Sequence, residues 1–304
     1  MSVLDGWTPI RVHAREEPVV EWCWMDGITF SDPFFVQTVE RALTTPFSLL
    51  FRRETPIGAL ADVEPGLAPS GFVCHVSRCG STLVSGMLAS SPQNLVLSEP
   101  LPVDHILRAD ASDDDKVQWL RWIVSALGRP RSGDERGYVL KLDAWNTCSL
   151  GIVRRAFPDV PWAFVFREPV EVLVSHMRHR GAHMVPGAID PRLFGLDPDA
   201  IAHMSPEEYC ARVLAAICRS ALEHRDDRAL FVDYRELPQA IDRIVDAFGL
   251  DHDEQMHGLA RFHAKNPSLL FSDDSEEKER EASPALREAA DRWVRPLYDE
   301  LRAC

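Results

Sequence analysis

Five short runs along this chain are almost wholly apolar, and amphipathic stretches separate them. The runs fall at 72–76, 95–97, 138–142, 162–166 and 230–232. Apolar residues recur at helical spacing over 83–89, 117–127, 150–156, 170–178, 209–222 and 240–248. Trp162-Ala163-Phe164-Val165-Phe166 and Ala229-Leu230-Phe231-Val232 are nearly continuous apolar segments, as strands buried on both faces should be. Strands that alternate with helices predict an α/β fold, a parallel sheet with helices on both faces. Ligands in such sheets bind at the carboxyl ends of the strands.

Outside this pattern, residues 1–65 read as an N-terminal aromatic-rich subdomain packed on a core domain of 66–304. Asp32-Pro33 predicts a helix start, with Asp as cap and Pro at the first position. Trp7, Trp22, Trp24, Phe30, Phe34, Phe35, Phe47 and Phe51 crowd the subdomain. Aromatics that dense are expected in the core, though some could line an acceptor pocket or a homodimer contact. The Pro- and Gly-rich stretch 181–204 is too irregular for a simple connection and reads as a lid or acceptor loop. The charge run 273–279 reads as a solvated loop before a last helix over 284–301. No internal repeat or low-complexity tract is evident.

Composition narrows the class. The chain has 304 residues, is 45% hydrophobic and 26% charged, and carries a net charge of -14. Those values suit a globular protein and argue against general binding to nucleic acid or an anionic membrane. Any anionic ligand then needs a local basic site, and arginine supplies most of the positive charge, since lysine occurs only at 116, 141, 265 and 278. Arginine suits forked contacts to phosphate and sulfate. The seven scattered cysteines form no CxxC pair and read as reduced thiols in a cytoplasmic protein. No signal peptide or membrane-spanning run is expected.

The chemistry gathers behind three of the apolar runs. Ser77-Arg78-Cys79-Gly80-Ser81-Thr82 lies between the first run and the first helix. A helix N-terminus presents unpaired N–H groups and partial positive charge, so this loop suits a phosphate or sulfate. An ordinary strand–turn–helix explains the loop alone equally well. It is similar to a Walker A loop without the lysine that grips the β- and γ-phosphates. Arg167 ends the fourth run and Ser175 lies two turns along the helix that Pro169 opens, so the two could converge on one anion. A strand-end ion pair and a plain helix serine are the alternatives. Tyr234 follows the last run, where it could stack on a nucleobase or sit half packed at a boundary. The histidines 176, 179 and 183 have tempting metal-ligand spacing, but Gly181 breaks the helix between them; solvated or acceptor-facing roles are expected, and no metal site.

Taken together, Ser77-Arg78-Cys79-Gly80-Ser81-Thr82-Leu83, the Arg167–Ser175 pair and Tyr234-Arg235-Glu236-Leu237 resemble, in order, three motifs of the sulfotransferase superfamily. The resemblance covers roughly residues 70–250. It implies a three-layer P-loop-like fold and 3′-phosphoadenosine 5′-phosphosulfate as donor, with no metal. The loop would be the 5′-phosphosulfate loop, in which Ser81, Thr82 and backbone N–H groups hold the 5′-phosphate. Arg78 would neutralise the leaving oxygen. Arg167 and Ser175 would grip the 3′-phosphate, and Tyr234 would contact adenine.

The resemblance also implies a general base. Members with arginine in the loop use a glutamate where Leu97-Ser98-Glu99-Pro100 stands, so Glu99 is preferred. Asp143, where many cytosolic members carry a histidine, is the second candidate, and Lys141 would support the sulfate or the base. The family's C-terminal glycine-rich segment is missing, and Lys265 is its candidate substitute. The expected function is sulfuryl transfer to a hydroxyl of a small-molecule or peptide acceptor, whose pocket is drawn from 100–112, 144–150 and 181–204. The alternatives are a P-loop kinase using a nucleoside triphosphate and a non-catalytic nucleotide-binding module.

Overall fold

The computed structural model describes residues 4–258 and 275–304, together with the backbone of Phe262–His263 and Asn266–Leu270. The chain opens with three antiparallel strands in sequential order, β1 (Trp7–His13), β2 (Val19–Trp24) and β3 (Arg53–Pro56). Helices α1 (Phe35–Leu43) and α2 (Pro46–Leu50) bridge β2 and β3. This sheet goes beyond the sequence reading, because its strands mix tryptophan with Arg11 and Glu21 and lack a continuous apolar run. Helix α1 buries Phe35, Thr38, Val39 and Ala42, the spacing of one helical face. It begins two residues after Pro33. Asp32 braces it from outside, accepting from the Thr38 hydroxyl at 2.6 Å and from Arg41 at 2.9 Å.

The aromatic reading of this region needs a correction. Trp7, Trp22 and Phe35 are core, but Phe47 and Phe51 stand exposed beside Leu49 and Leu50 on α2 and the residue after it.

The apolar runs become the central sheet. Strands β4 (Gly71–His75), β5 (Asn94–Ser98), β6 (Gly137–Lys141), β7 (Trp162–Phe166) and β8 (Ala229–Asp233) lie in the order β5-β6-β4-β7-β8. Every pairing is parallel. Helix α3 (Ser81–Ala89) follows β4, and α4 (Leu101–Leu107) and α5 (Asp113–Leu127) connect β5 to β6. Helix α6 (Leu150–Ala156) leads to β7. Helices α7 (Pro169–Arg178), α8 (Pro198–Ile201) and α9 (Pro206–Glu223) lead on to β8. The result is a three-layer α/β fold with its sheet enclosed by helices. The connections run from β4 outward to one edge and later return across it to the other, which makes the end of β4 a topological switch point, where ligands bind in such sheets.

The C-terminal part packs helices α10 (Ile241–Ala247), α11 (Gln255–Gly258), α12 (Ser275–Glu281), α13 (Pro284–Trp293) and α14 (Arg295–Arg302), with the strand pair β9 (Phe262–His263) and β10 (Asn266–Leu270) before α12. Three expectations change here and before it. Much of the supposed loop 100–112 is α4. The charge run is helical from Ser275, where Arg178 pairs with Glu277 at 2.9 Å and Glu281 at 2.7 Å. The last helix is two, because Pro296 has no N–H for the Arg292 carbonyl and cannot continue the ladder. Among the described residues no helix is long and apolar enough to cross a membrane.

Candidate active site

The loop after β4 is held in an uncommon backbone shape. Ser77 and Arg78 adopt left-handed φ values of 67° and 53°, and Gly80 has φ 83°. Non-glycine residues reach that region at a cost, and it is concentrated at functional loops. His75, the last residue of β4, accepts the Ser77 N–H on Nδ1 at 2.9 Å. The Cys79 thiol turns away from the loop and donates to the Val165 carbonyl at 3.1 Å, and burial pushes its pKa up to about 11. Cys79 therefore offers a ligand only its backbone. Gly80 is the N-cap of α3, and no side chain caps the helix. Its first-turn N–H groups point where an anion would sit.

The parallel register places a second group beside this loop. Ser98 on β5 stands opposite Lys141 on β6, and the Glu99 N–H donates to the Lys141 carbonyl at 2.7 Å. Glu99 also has a left-handed φ, 57°. The two strand ends thus deliver an ion pair, with Lys141 Nζ 2.6 Å from Glu99 Oε1. Lys141 is 0% exposed, and the Glu99 side chain retains 24%. His75 Nε2 lies 3.5 Å from the same carboxylate oxygen. Burial opposes the Glu99 charge, but Lys141 and His75 outweigh it and hold its pKa well below the usual carboxylate range. Asp143 is the opposite case. Burial, with Glu99 and Asp104 as like-charged neighbours, pushes its pKa well above the ordinary aspartate value.

A cavity of about 250 Å³ joins these parts. Its walls include Ser77, Arg78, Ser81 and Thr82 from the loop and helix, Glu99 and Asp143 from strand ends, and His75. The far wall is Phe34, Trp145 and the segment Gly181, Ala182 and His183. Arg78 spans the mouth, donating to the His179 carbonyl at the end of α7 at 2.8 Å. Of the stretch 181–204, only its first three residues reach the cavity. Much of the rest is anchored by buried Met184, Ile189, Pro191, Phe194 and Leu196.

The remaining candidates gather on the other side of Gly80. A Cβ on Gly80 would stand 2.9 Å from Tyr234 Cδ2, so the tyrosine lies directly against the loop. The Arg167 guanidinium stacks over the Tyr234 ring at 4.0 Å. Arg167 is also ion-paired with Glu171, its Nε donating at 2.6 Å, and it donates to Ser275 Oγ at 3.2 Å. Ser275 in turn donates to Glu171 at 3.0 Å. Glu171 and Ser175 both lie on α7, where their four-residue spacing sets Ser175 one turn beyond Glu171 on the same face. Lys265 lies outside the described residues.

Sequence reasoning missed several participants. His75 was passed over as a strand residue, and Glu171 and Ser275 were not singled out. His183 was expected to be solvated or acceptor-facing; it faces the cavity from a buried position, and His176 is fully buried. Its Pro/Gly-rich context, in a segment that had to return to the sheet, was the available signal.

No protein-family model matches the sequence, and no curated protein is similar to it. Solved structures do match. A sulfotransferase from Alicyclobacillus acidocaldarius is 16% identical with a TM-score of 0.46, over 78% of this chain and 95% of that one. A sulfotransferase domain from the curacin biosynthetic pathway is 16% identical with a TM-score of 0.44, over 75% of this chain and 97% of that one. A mouse sulfotransferase complexed with PAP is 14% identical with a TM-score of 0.43, over 81% of this chain and 91% of that one. All three of these solved structures are named as sulfotransferases.

Proposed function

We propose that the chain is a sulfotransferase that moves a sulfuryl group from 3′-phosphoadenosine 5′-phosphosulfate to a hydroxyl acceptor. One observation carries this reading: the anion-suited loop and Arg78 share a single cavity with two carboxylates, Glu99 and Asp143. Tyr234 lies against the same loop at Gly80 and Arg167 stacks on its ring, which supports a nucleoside end of the donor on that side.

Sulfuryl transfer, like phosphoryl transfer, depends mainly on positioning and charge stabilisation. The acceptor oxygen attacks sulfur while the bond from sulfur to the bridging phosphate oxygen breaks. The electron pair stays on that oxygen, and adenosine 3′,5′-bisphosphate leaves. Arg78 and the α3 N-terminus stabilise the departing charge, and a carboxylate takes the acceptor's proton. Glu99 fills that role in this proposal, because Lys141 and His75 keep it ionised and ready to accept. Asp143 is the second reading, favoured by its raised pKa.

Thermal stabilisation by adenosine 3′,5′-bisphosphate, compared with ATP, tests the donor, since a ligand that binds only the folded state raises its stability. Transfer from labelled donor, with Arg78→Ala and Glu99→Ala as controls, tests the chemistry. Failure to bind the bisphosphate, or tight binding of Mg-ATP instead, would sink the proposal.

A further inference from the structure

Helix α2 is built inside out. Its one buried residue is Ser48, while Phe47, Leu49, Leu50 and the following Phe51 stand between 42% and 78% exposed. A surface helix normally turns its apolar face to the core and its polar face to water. The inversion is held firmly. Thr45 caps α2, its hydroxyl oxygen accepting the Ser48 N–H at 3.4 Å, and the same hydroxyl donates to the Ala42 carbonyl at 2.9 Å. Pro46 fixes the first position of the helix. Ser48 Oγ meets Cys23 Sγ of β2 at 3.6 Å. The Phe47 ring contacts Trp24 at 5.4 Å and Phe51 at 4.8 Å between centroids. The apolar side chains thus form one patch on a fixed support.

At about 200 Å² for a fully exposed phenylalanine or leucine, the patch amounts to roughly 480 Å². An apolar patch of that size, rimmed by charge, marks an interaction site. Two such patches face to face bury roughly 950 Å², and with their rims they clear the threshold of about 1,000 Å² for a specific interface. The rim carries both signs. Glu40 and Arg41 are exposed just before the patch, and Arg52 and Glu54 just after it. Arg41 pairs with Asp32 at 2.6 Å and Arg52 with Glu21 at 3.5 Å. A chain of net charge -14 repels its own copies, so they approach best where the local charge balances. Mixed charge also suits a two-fold axis, since each copy presents the same groups to the other. An anionic bilayer asks instead for a basic rim.

We infer that a second copy of this chain covers the patch, with α2 of each copy packed on α2 of the other about a two-fold axis. The nine residues of α1, about 13 Å of helix, lie between the patch and Phe34 in the cavity wall, so both cavities stay open. Sedimentation velocity of the full chain, run at about 1 and 100 μM, reads the association. Wild type should be dimeric at the higher concentration and largely monomeric at the lower, as a small interface predicts. Leu50→Glu should raise the dissociation constant at least about thirtyfold, because each dimer loses the side chain twice and buries two unpaired carboxylates. Leu49→Lys is the second variant and should act alike. Hydrogen exchange on wild type needs no variant: the amides of 45–52 should exchange more slowly in the dimer than in the monomer. A wild type that stays monomeric at the higher concentration, a dimer that persists in both variants, or exchange over 45–52 that is the same in monomer and dimer would overturn the inference. So would cosedimentation of monomer with vesicles of phosphatidylcholine and phosphatidylglycerol that is lost in Leu50→Glu, which would give the face to a lipid surface.

Discussion

Lys141→Met removes the ammonium from a pair in which one partner has no exposed surface and the other is three-quarters covered. The methionine fills a similar volume, so the cost arises from Glu99, left as a desolvated carboxylate 3.5 Å from a neutral histidine. Breaking one side of a buried pair typically costs about 3–5 kcal/mol. At about 2.1 cal/mol/K per residue, a chain of this length loses about 1.5 °C of Tm for each kcal/mol, so a fall of roughly 5–8 °C is expected. Replacing both partners, in Lys141→Met with Glu99→Gln, leaves a neutral pair and should restore about 2 kcal/mol or more relative to the sum of the single changes.

The pH dependence sharpens this test. In wild type the folded Glu99 pKa is depressed, so its stabilisation is present above the ordinary glutamate pKa and disappears as pH falls through the folded value. In Lys141→Met, burial without the ammonium raises the Glu99 pKa, and acidification relieves the buried charge instead. The gap in Tm between the two proteins should therefore narrow steadily from pH 7 toward pH 3. Differential scanning calorimetry of all four proteins across that range supplies the cycle. A single-mutant cost under about 1 kcal/mol, strict additivity in the double mutant, or a gap that widens in acid would refute the argument.

Three further outcomes follow from the same geometry. Gly80→Ala combines a φ of 83° with a Cβ 2.9 Å from the Tyr234 ring; it should cost about 1–2 kcal/mol in thermal unfolding and weaken adenosine 3′,5′-bisphosphate binding in calorimetry. Asp143→Asn removes a carboxyl whose folded pKa is raised, a group that opposes folding once pH exceeds its unfolded pKa; the variant should melt higher than wild type at pH 8 and equal to it near pH 3. With Glu99 as base, turnover should persist into mildly acidic buffer, whereas with Asp143 as base it should fall as pH drops through that residue's raised pKa; a pH profile of kcat/KM separates the two.

The five core strands were legible because strands buried on both faces leave continuous apolar runs, and every predicted run lies within an observed strand or overlaps it by all but its last residue. The three N-terminal strands were not, since β1 and β2 mix tryptophans with Arg11 and Glu21, and β3, Arg53–Pro56, has no apolar residue but its proline. The loop was legible as the turn from a strand into a helix, because its signals are local. The Glu99–Lys141 pair was not legible as a pair: it depends on β6 lying between β5 and β4, and strand order is not written in either segment. Both residues were singled out for other reasons. The electrostatic contrast between Glu99 and Asp143 is likewise a product of packing, because it turns on which carboxylate faces the buried ammonium. Arg167 and Tyr234 were each visible at a strand end, and Glu171 lies only four residues from Arg167, but the Ser275 contacts to Arg167 and Glu171 join segments more than a hundred residues apart.

The place of β4 in the sheet also governs how the chain acquires its site during synthesis. Its hydrogen-bonding neighbours are β6 and β7, and β5, next in sequence, pairs only with β6. A nascent chain ending at β5 therefore carries two apolar strands that cannot pair with each other in the native arrangement. They wait until residue 141 has emerged before β6 can join them, which for β4, ending at His75, is an interval of roughly 3–13 s at 5–20 residues per second. For that time Gly71–His75, buried at every position in the finished fold, is an open template for other strands. The first strand of the central sheet to be made is thus one that neither the strands before it nor its next neighbour in sequence can pair, and it stays open until β6 arrives.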